Sequence, residues 1–163
     1  MSSYPAPALA KATKFLVCVD DREESKIALR LACMKANARG SRVCMLHVTA
    51  PADFQTLGAI ADRMREERKA EGQQLLSTLA EEAYATYGIR PDAVLREGST
   101  GDEIIAAAFE DSDVNMIALG VAQHVAGRGK LAAWLASQLG SKLYVPLLMV
   151  PGNLTDQQLQ SIV

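Results

Sequence analysis

The chain has little of what usually announces a chemistry. Its 163 residues include three cysteines, two histidines and no long block of one charge. Cys18, Cys33 and Cys44 are widely spaced and odd in number, with no C-x-x-C pair. That argues against a disulfide framework and against a zinc site. All three lie in apolar context and read as buried, reduced thiols. The G-x-S-x-G elbow, the H-E-x-x-H helix and the lysine-bearing phosphate loop are all missing. Without a nucleophile–base pair or a metal cluster, catalysis has nothing to stand on, and no enzyme activity is expected. Net charge is −2, with acidic and basic residues intermixed, so no basic stripe points to nucleic acid. The longest apolar runs are too short to span a bilayer, so no membrane partner is expected. The first residues, MSSYPAPALAKATK, lack the continuous apolar stretch of a secretory signal. They are read as a flexible leader over residues 1–13, and the cytoplasm is the default location.

What is present is an alternation of short apolar runs and helical patterns. Almost half of the residues are apolar, enough for a sizeable core in one domain. Phe15 to Val19 reads as a strand buried on both faces. Asp21 with Glu24 has the form of a capping box. Ile27, Ala28, Leu31, Ala32 and Met34 then recur at helical spacing, with Gly40 as a stop signal. Val43 to Val48 is a second strand. A long second helix starts near Ala61 and stops before Gly88, and its charged first half reads as a solvated face. Val94 to Arg96 is a short third strand. Ile104, Ile105, Ala108 and Phe109 mark a third helix. Met116 to Leu119 is strand four. Leu131, Trp134, Leu135, Gln138 and Leu139 mark helix four, with Trp134 as a core residue and Gly140 as the helix C-cap. Val145 to Val150 is strand five, with Pro146 near its start. Residues 152–163 carry a weak helical pattern and form a C-terminal tail. Strands alternating with helices predict an α/β fold with a parallel sheet and helices on both faces. Ligands of such sheets bind beyond the carboxyl ends of the strands, where strand order reverses. If strand one is central, the loops after Asp20 and Gly120 meet at that crevice.

Read with these elements, VCVDDREESKIAL, VCMLHV, REGSTGDEIIAAAFEDSDVNMIALG and VPLLMV resemble the strands and helices of the universal stress protein family. The resemblance runs from about Lys14 to Val150, a single domain over residues 14–151. It implies a doubly wound five-stranded parallel sheet of order 3-2-1-4-5. It implies cytoplasmic stress-response proteins that form homodimers, often along the fifth strands. It places Asp20 at the family's adenine-side aspartate. The ATP-binding members carry G-x2-G-x9-G-[ST] after strand four, where backbone N–H groups and a hydroxyl close round the phosphates. Gapless threading puts Gly120 at the first glycine, Gln123 at the second, Ala133 at the third and Trp134 at the hydroxyl position. Gln123 disfavours positive φ and adds a side chain. Gly129 followed by Gly140-Ser141 imitates the spacing but is one residue too long.

The expected function is therefore a dimeric, non-enzymatic stress-response protein with a degenerate nucleotide loop and no tight ATP binding. Its homodimer forms through the last strand, its other protein partners are unidentified, and it needs no cofactor. The alternative is an ATP- or AMP-binding signalling protein that uses an atypical loop at the same crevice. Its candidate residues are Val19, Asp20, Val48, Gly120, Val121, Arg128, Gly129 and Lys130. Arg128 and Lys130, with Gly127 and Gly129 between and before them, could bind an anion or simply form a solvent loop. Asp20 could accept from a ribose or an adenine amine, or cap the first helix. His47 reads as a structural strand histidine, and His124 lies in the loop near the crevice.

Overall fold

The structure is a computed structural model that describes residues 13–51, 58–122 and 129–163. Five strands and five helices alternate along the chain: β1 (Lys14–Cys18), α1 (Glu23–Arg39), β2 (Arg42–Thr49), α2 (Ala59–Tyr87), β3 (Asp92–Glu97), α3 (Thr100–Glu110), β4 (Met116–Val121), α4 (Lys130–Gln138), β5 (Leu147–Pro151) and α5 (Asp156–Ser161). The strands form one sheet of order β3-β2-β1-β4-β5, and every neighbouring pair is parallel. The doubly wound α/β architecture expected from the sequence is the one observed. The expected leader over residues 1–13 falls almost wholly outside the described residues.

Side chains alternate across a strand, so a central strand needs apolar residues at every position. β1 meets that demand from Phe15 to Cys18. Phe15 and Val17 enter one core with Met45, α1, α2 and Leu159 of α5, while Leu16 enters the other with Cys44, Leu46, Ile117, α3 and α4. Each such side chain contributes about 1.5–3 kcal/mol of gross burial free energy. The edge strand β3 is half-buried at best, and the first half of α2 is mostly exposed, as its charge pattern predicts.

Several details differ from the sequence reading. β5 begins at Leu147, so Val145 and Pro146 precede it; the Pro146 carbonyl still accepts Ile117 N–H at 2.9 Å. Phe109 lies 89% exposed on α3, because Ile104, Ala107 and Ala108 already fill the face toward the sheet. Cys18 is only half-buried, unlike Cys33 and Cys44. Gly40 does stop α1, at φ 69°, with its N–H on Ala36 O.

The amino end of the sheet is tied by an ion pair. Lys14 Nζ donates to Asp111 Oδ2 at 2.7 Å, with Asp92 at 3.6 Å. The Lys14 hydrogen bond holds the Asp111 carboxyl below its usual range, helped by Asp113 N–H, and Asp111 in turn raises Lys14. A depressed carboxyl stabilises the fold above its unfolded value, and that stability disappears as pH falls through the folded value. The raised ammonium contributes below its unfolded value and fades only as pH rises past the folded one. Asp111→Asn should therefore flatten the acid limb: between about pH 5 and pH 2 its urea midpoint falls less steeply than that of wild type. Parallel acid limbs would rule out this pair as a source of acid sensitivity.

Candidate functional site

β1 and β4 lie side by side, yet their chains leave in opposite directions across the sheet, and the crevice opens there. Val19 extends β1 by one bond, N–H to Leu46 O at 2.8 Å. The chain then turns through Asp20, whose Oδ1 accepts Arg22 N–H at 2.8 Å. The buried Ser25 hydroxyl accepts Asp20 N–H at 3.1 Å and lies 3.0 Å from Arg22 O, to which it can donate. The expected Asp21–Glu24 capping box does not form. α1 begins at Glu23 with Arg22 as N-cap and no side-chain cap, because Ser25, one turn inside the helix, ties the turn instead. Asp20 thus serves the turn before α1 and still lines the crevice.

The crevice is a cavity of about 270 Å³ whose walls include Val19, Asp20, His47, Val48, Thr100 and Gly120. Four of the residues singled out from the sequence, Val19, Asp20, Val48 and Gly120, are brought together here. Val121 is half-buried at the end of β4 and is not part of the wall. Gly129 and Lys130 stand at the start of α4, as N-cap and first residue, both exposed. Gln123, His124 and Arg128 lie outside the described residues. The sequence reading missed Arg22, Ser25 and Thr100, which also face the cavity. Thr100 had a signal: it follows Gly98-Ser99 at the start of a helix, at a strand's carboxyl end. A second hollow of about 320 Å³, between α1, α2 and α5, lies on the helical face rather than at the strand ends.

Among the described residues, His47 makes one hydrogen bond. Its Nδ1 lies 2.7 Å from Val19 O, and a carbonyl can only accept, so Nδ1 carries the hydrogen. Cys18 borders the same cavity, with its thiol pushed up to about 12 by burial and by the Asp20 carboxylate. A thiol so protonated is no nucleophile. Among the described residues, no group of three or more His, Cys, Asp or Glu could hold a metal ion, and no helix is long and apolar enough to cross a membrane.

A comparison with protein families matches residues 11–151 to the universal stress protein family. The chain belongs to the universal stress protein family. No curated protein sequence matches it. Among solved structures it is similar to universal stress protein UspA from Lactobacillus plantarum, at 14% identity and TM-score 0.72, over 86% of this chain and 99% of that one. A universal stress protein family member from Burkholderia pseudomallei gives 20% identity and TM-score 0.69, over 87% and 98%. A family protein from Arabidopsis thaliana with AMP bound gives 19% identity and TM-score 0.61, over 85% and 91%. At these identities the likeness is one of fold, and it agrees with the observed strand order.

Within the universal stress protein family's sheet, the glycines of this chain have local reasons. A Cβ on Gly120 would lie 1.9 Å from Glu24 O and 2.2 Å from Glu24 C, so α1 presses backbone against backbone at the end of β4. Gly120 is thus required by packing, whatever occupies the crevice. Ala133 and Trp134 lie inside α4. Trp134 is not a core residue: it is 37% exposed, and its ring covers the first turn of α3. A Cβ on Gly101 would sit 2.4 Å from that ring, so the large residue on α4 is matched by an absent side chain on α3. The C-cap of α4 is Leu139 rather than the expected Gly140; Gly140 follows it at φ 83°, as a residue beyond a helix end often does.

Proposed function

We propose that this chain is a cytoplasmic, non-enzymatic, dimeric stress-response protein that works through protein contacts and does not hold ATP tightly. The observation that carries this is the packing of α4. Trp134 and Ala133 are built into its helical turns, with the Trp134 ring on Gly101, where the sequence threading would need a glycine and a hydroxyl open to phosphate. A helix interior offers no free N–H groups to a phosphate, since its turns consume them. The homodimer is proposed along β5, the sheet's outer strand beside β4, where Met149 is half exposed, with Tyr144, 79% exposed, three residues ahead of the strand.

A second reading is favoured by the crevice itself. Its volume is a little below the usual range for drug-sized ligands, and it sits at the switch point, where Asp20 and Thr100 supply polar groups. A nucleoside monophosphate fits that scale better than a triphosphate. The Arabidopsis relative carries AMP, and a relative from Archaeoglobus fulgidus is in complex with dAMP. On this reading the protein is a signalling module that binds AMP weakly, with Gly129 and Lys130, at the start of α4, toward the phosphate.

One set of titrations separates these. ATP at millimolar concentration should give no saturable heat in calorimetry, and a saturable signal in the low micromolar range would sink the first reading. AMP should give weak, saturable heat if the second reading holds. For the dimer, Met149→Asp should shift the sedimenting species to monomer while thermal melting shows an intact fold. An unchanged sedimentation coefficient would count against pairing along β5.

A further inference from the structure

β3 forms one outer edge of the sheet, and one side of its backbone is open. Parallel strands turn alternate residues toward each neighbour. Gly98 N–H reaches Thr49 O of β2 at 3.0 Å. Counting back by twos, Arg96 and Val94 also face β2. Ala93, Leu95 and Glu97 therefore turn their N–H and C=O groups outward. Among the described residues no strand lies beyond them. The edge is six residues long, about 20 Å of strand.

α2 runs beside this edge and supplies a wall. Arg65, Lys69, Gln73, Ser77 and Tyr84 recur at helical spacing along one stripe of it. Two hollows open between that stripe and β3. One, of about 450 Å³, lies toward the carboxyl end, with Lys69, Gln73 and Leu95 in its wall. The other, of about 320 Å³, lies at the amino end, with Ser77, Tyr84 and Arg90. The charges along this seam are uneven. Arg65 is 3.2 Å from Glu97, and Lys14 is 3.6 Å from Asp92, so both acids of the strand already face a cation. Lys69 has no ion-pair partner among the described residues. The Arg90 guanidinium lies 4.3 Å above the Tyr84 ring, and Glu81 is the one carboxylate in the wall of that hollow. Lys69 and Arg90 against Glu81 leave the seam with an excess of positive charge.

We propose that this seam is a docking surface for an acidic, extended segment of a partner protein, which adds to β3 as a sixth strand. The outward N–H and C=O groups of Ala93, Leu95 and Glu97 supply main-chain bonds, and alternate side chains of the segment reach the α2 stripe. Carboxylates among them meet Lys69 and Arg90, and an apolar side chain between them rests on Leu95, which is half-buried. The proposal rests on the first reading above, that the protein works through protein contacts. It uses the edge opposite β5, so a dimer along β5 leaves it open.

The probe is the end-blocked peptide Glu-Thr-Val-Thr-Glu, with Lys-Thr-Val-Thr-Lys as its opposite; the symmetric pattern suits either strand direction. In proton–nitrogen NMR the acidic peptide should shift the amides of Ala93, Leu95 and Glu97 saturably and slow their exchange with water. Val94 and Arg96, already bonded to β2, should change little. The lysine peptide should bind about threefold to fivefold more weakly, the worth of an exposed ion pair. Lys69→Glu should reverse that preference. Ala93→Pro should abolish the shifts and melt near wild type, because an outward N–H on an edge strand is where proline fits. Shifts centred elsewhere, or equal affinity for the two peptides, would overturn the proposal. So would Leu95 and Glu97 amides that are protected without peptide and lose that protection on dilution, since a second copy would then cover the edge. Tight ATP binding with the peptide still adding to β3 removes the first reading and leaves the surface standing. No peptide binding, with no heat from ATP, removes the surface and leaves that reading.

Discussion

Gly120→Ala should cost about 3 kcal/mol or more and lower the melting temperature by about 10 °C. The new methyl group would have to share space with the Glu24 carbonyl, 1.9 Å away. Rigid backbone cannot step aside as a flexible side chain can. The next glycine near this wall repeats the constraint, since a Cβ on Gly152 would lie 2.5 Å from Glu24 Cβ. Gly129→Ala is the matched control. A Cβ there meets nothing within 4 Å, and its φ of −89° suits any residue. It should melt within about 2 °C of wild type, as surface substitutions do. The pair also separates two meanings of the same residue. If Gly120 were a glycine only to admit a ligand, Gly120→Ala would melt like wild type and change binding alone. A normal melt for Gly120→Ala would therefore sink the packing account.

Leu159→Ala should destabilise the protein by about 2–4 kcal/mol, seen as a lower urea midpoint. Leu159 is fully buried in the core shared by β1, α1 and α2, although it lies beyond the residues matched to the family. α5 holds it there with few polar aids. Thr155 Oγ1 accepts Gln158 N–H at 3.2 Å, and Gln158 Oε1 accepts Thr155 N–H at 2.9 Å, a reciprocal cap. Arg30 and Asp156 are 3.5 Å apart but well exposed, so Asp156→Ala should cost less than about 1 kcal/mol. The contrast is the test: apolar burial, not the ion pair, keeps α5 docked. If Leu159→Ala unfolds at the wild-type urea concentration, α5 is an ornament rather than part of the core.

The glycines show where reading the chain runs short. Gly40 was legible because a helix stop needs a left-handed residue next to it in sequence. Gly72 and Gly101 were not. Each is excused by side chains far along the chain, Leu95 and His47 for one and Trp134 for the other, and only the fold brings them together. Trp134 was misread for the same reason. Its spacing from Leu131 and Leu135 suits a helix face, but spacing does not say how much of that face the neighbouring helix covers. The capping box failed more locally, because Ser25 competed from one turn further on, and both candidates look plausible in one dimension.

By itself the sequence determined the order of strands and helices, the two-sided burial of β1, the parallel sheet and the family resemblance, because these follow from hydrophobic period and from stop signals next to one another in the chain. The tertiary structure alone decided why Gly120 must be a glycine, which way the His47 ring is held, and that one stripe of α2 lies along the edge of β3. Those depend on contacts between residues tens of positions apart, whose distances are set by how helices seat on the sheet and leave no local mark in the sequence.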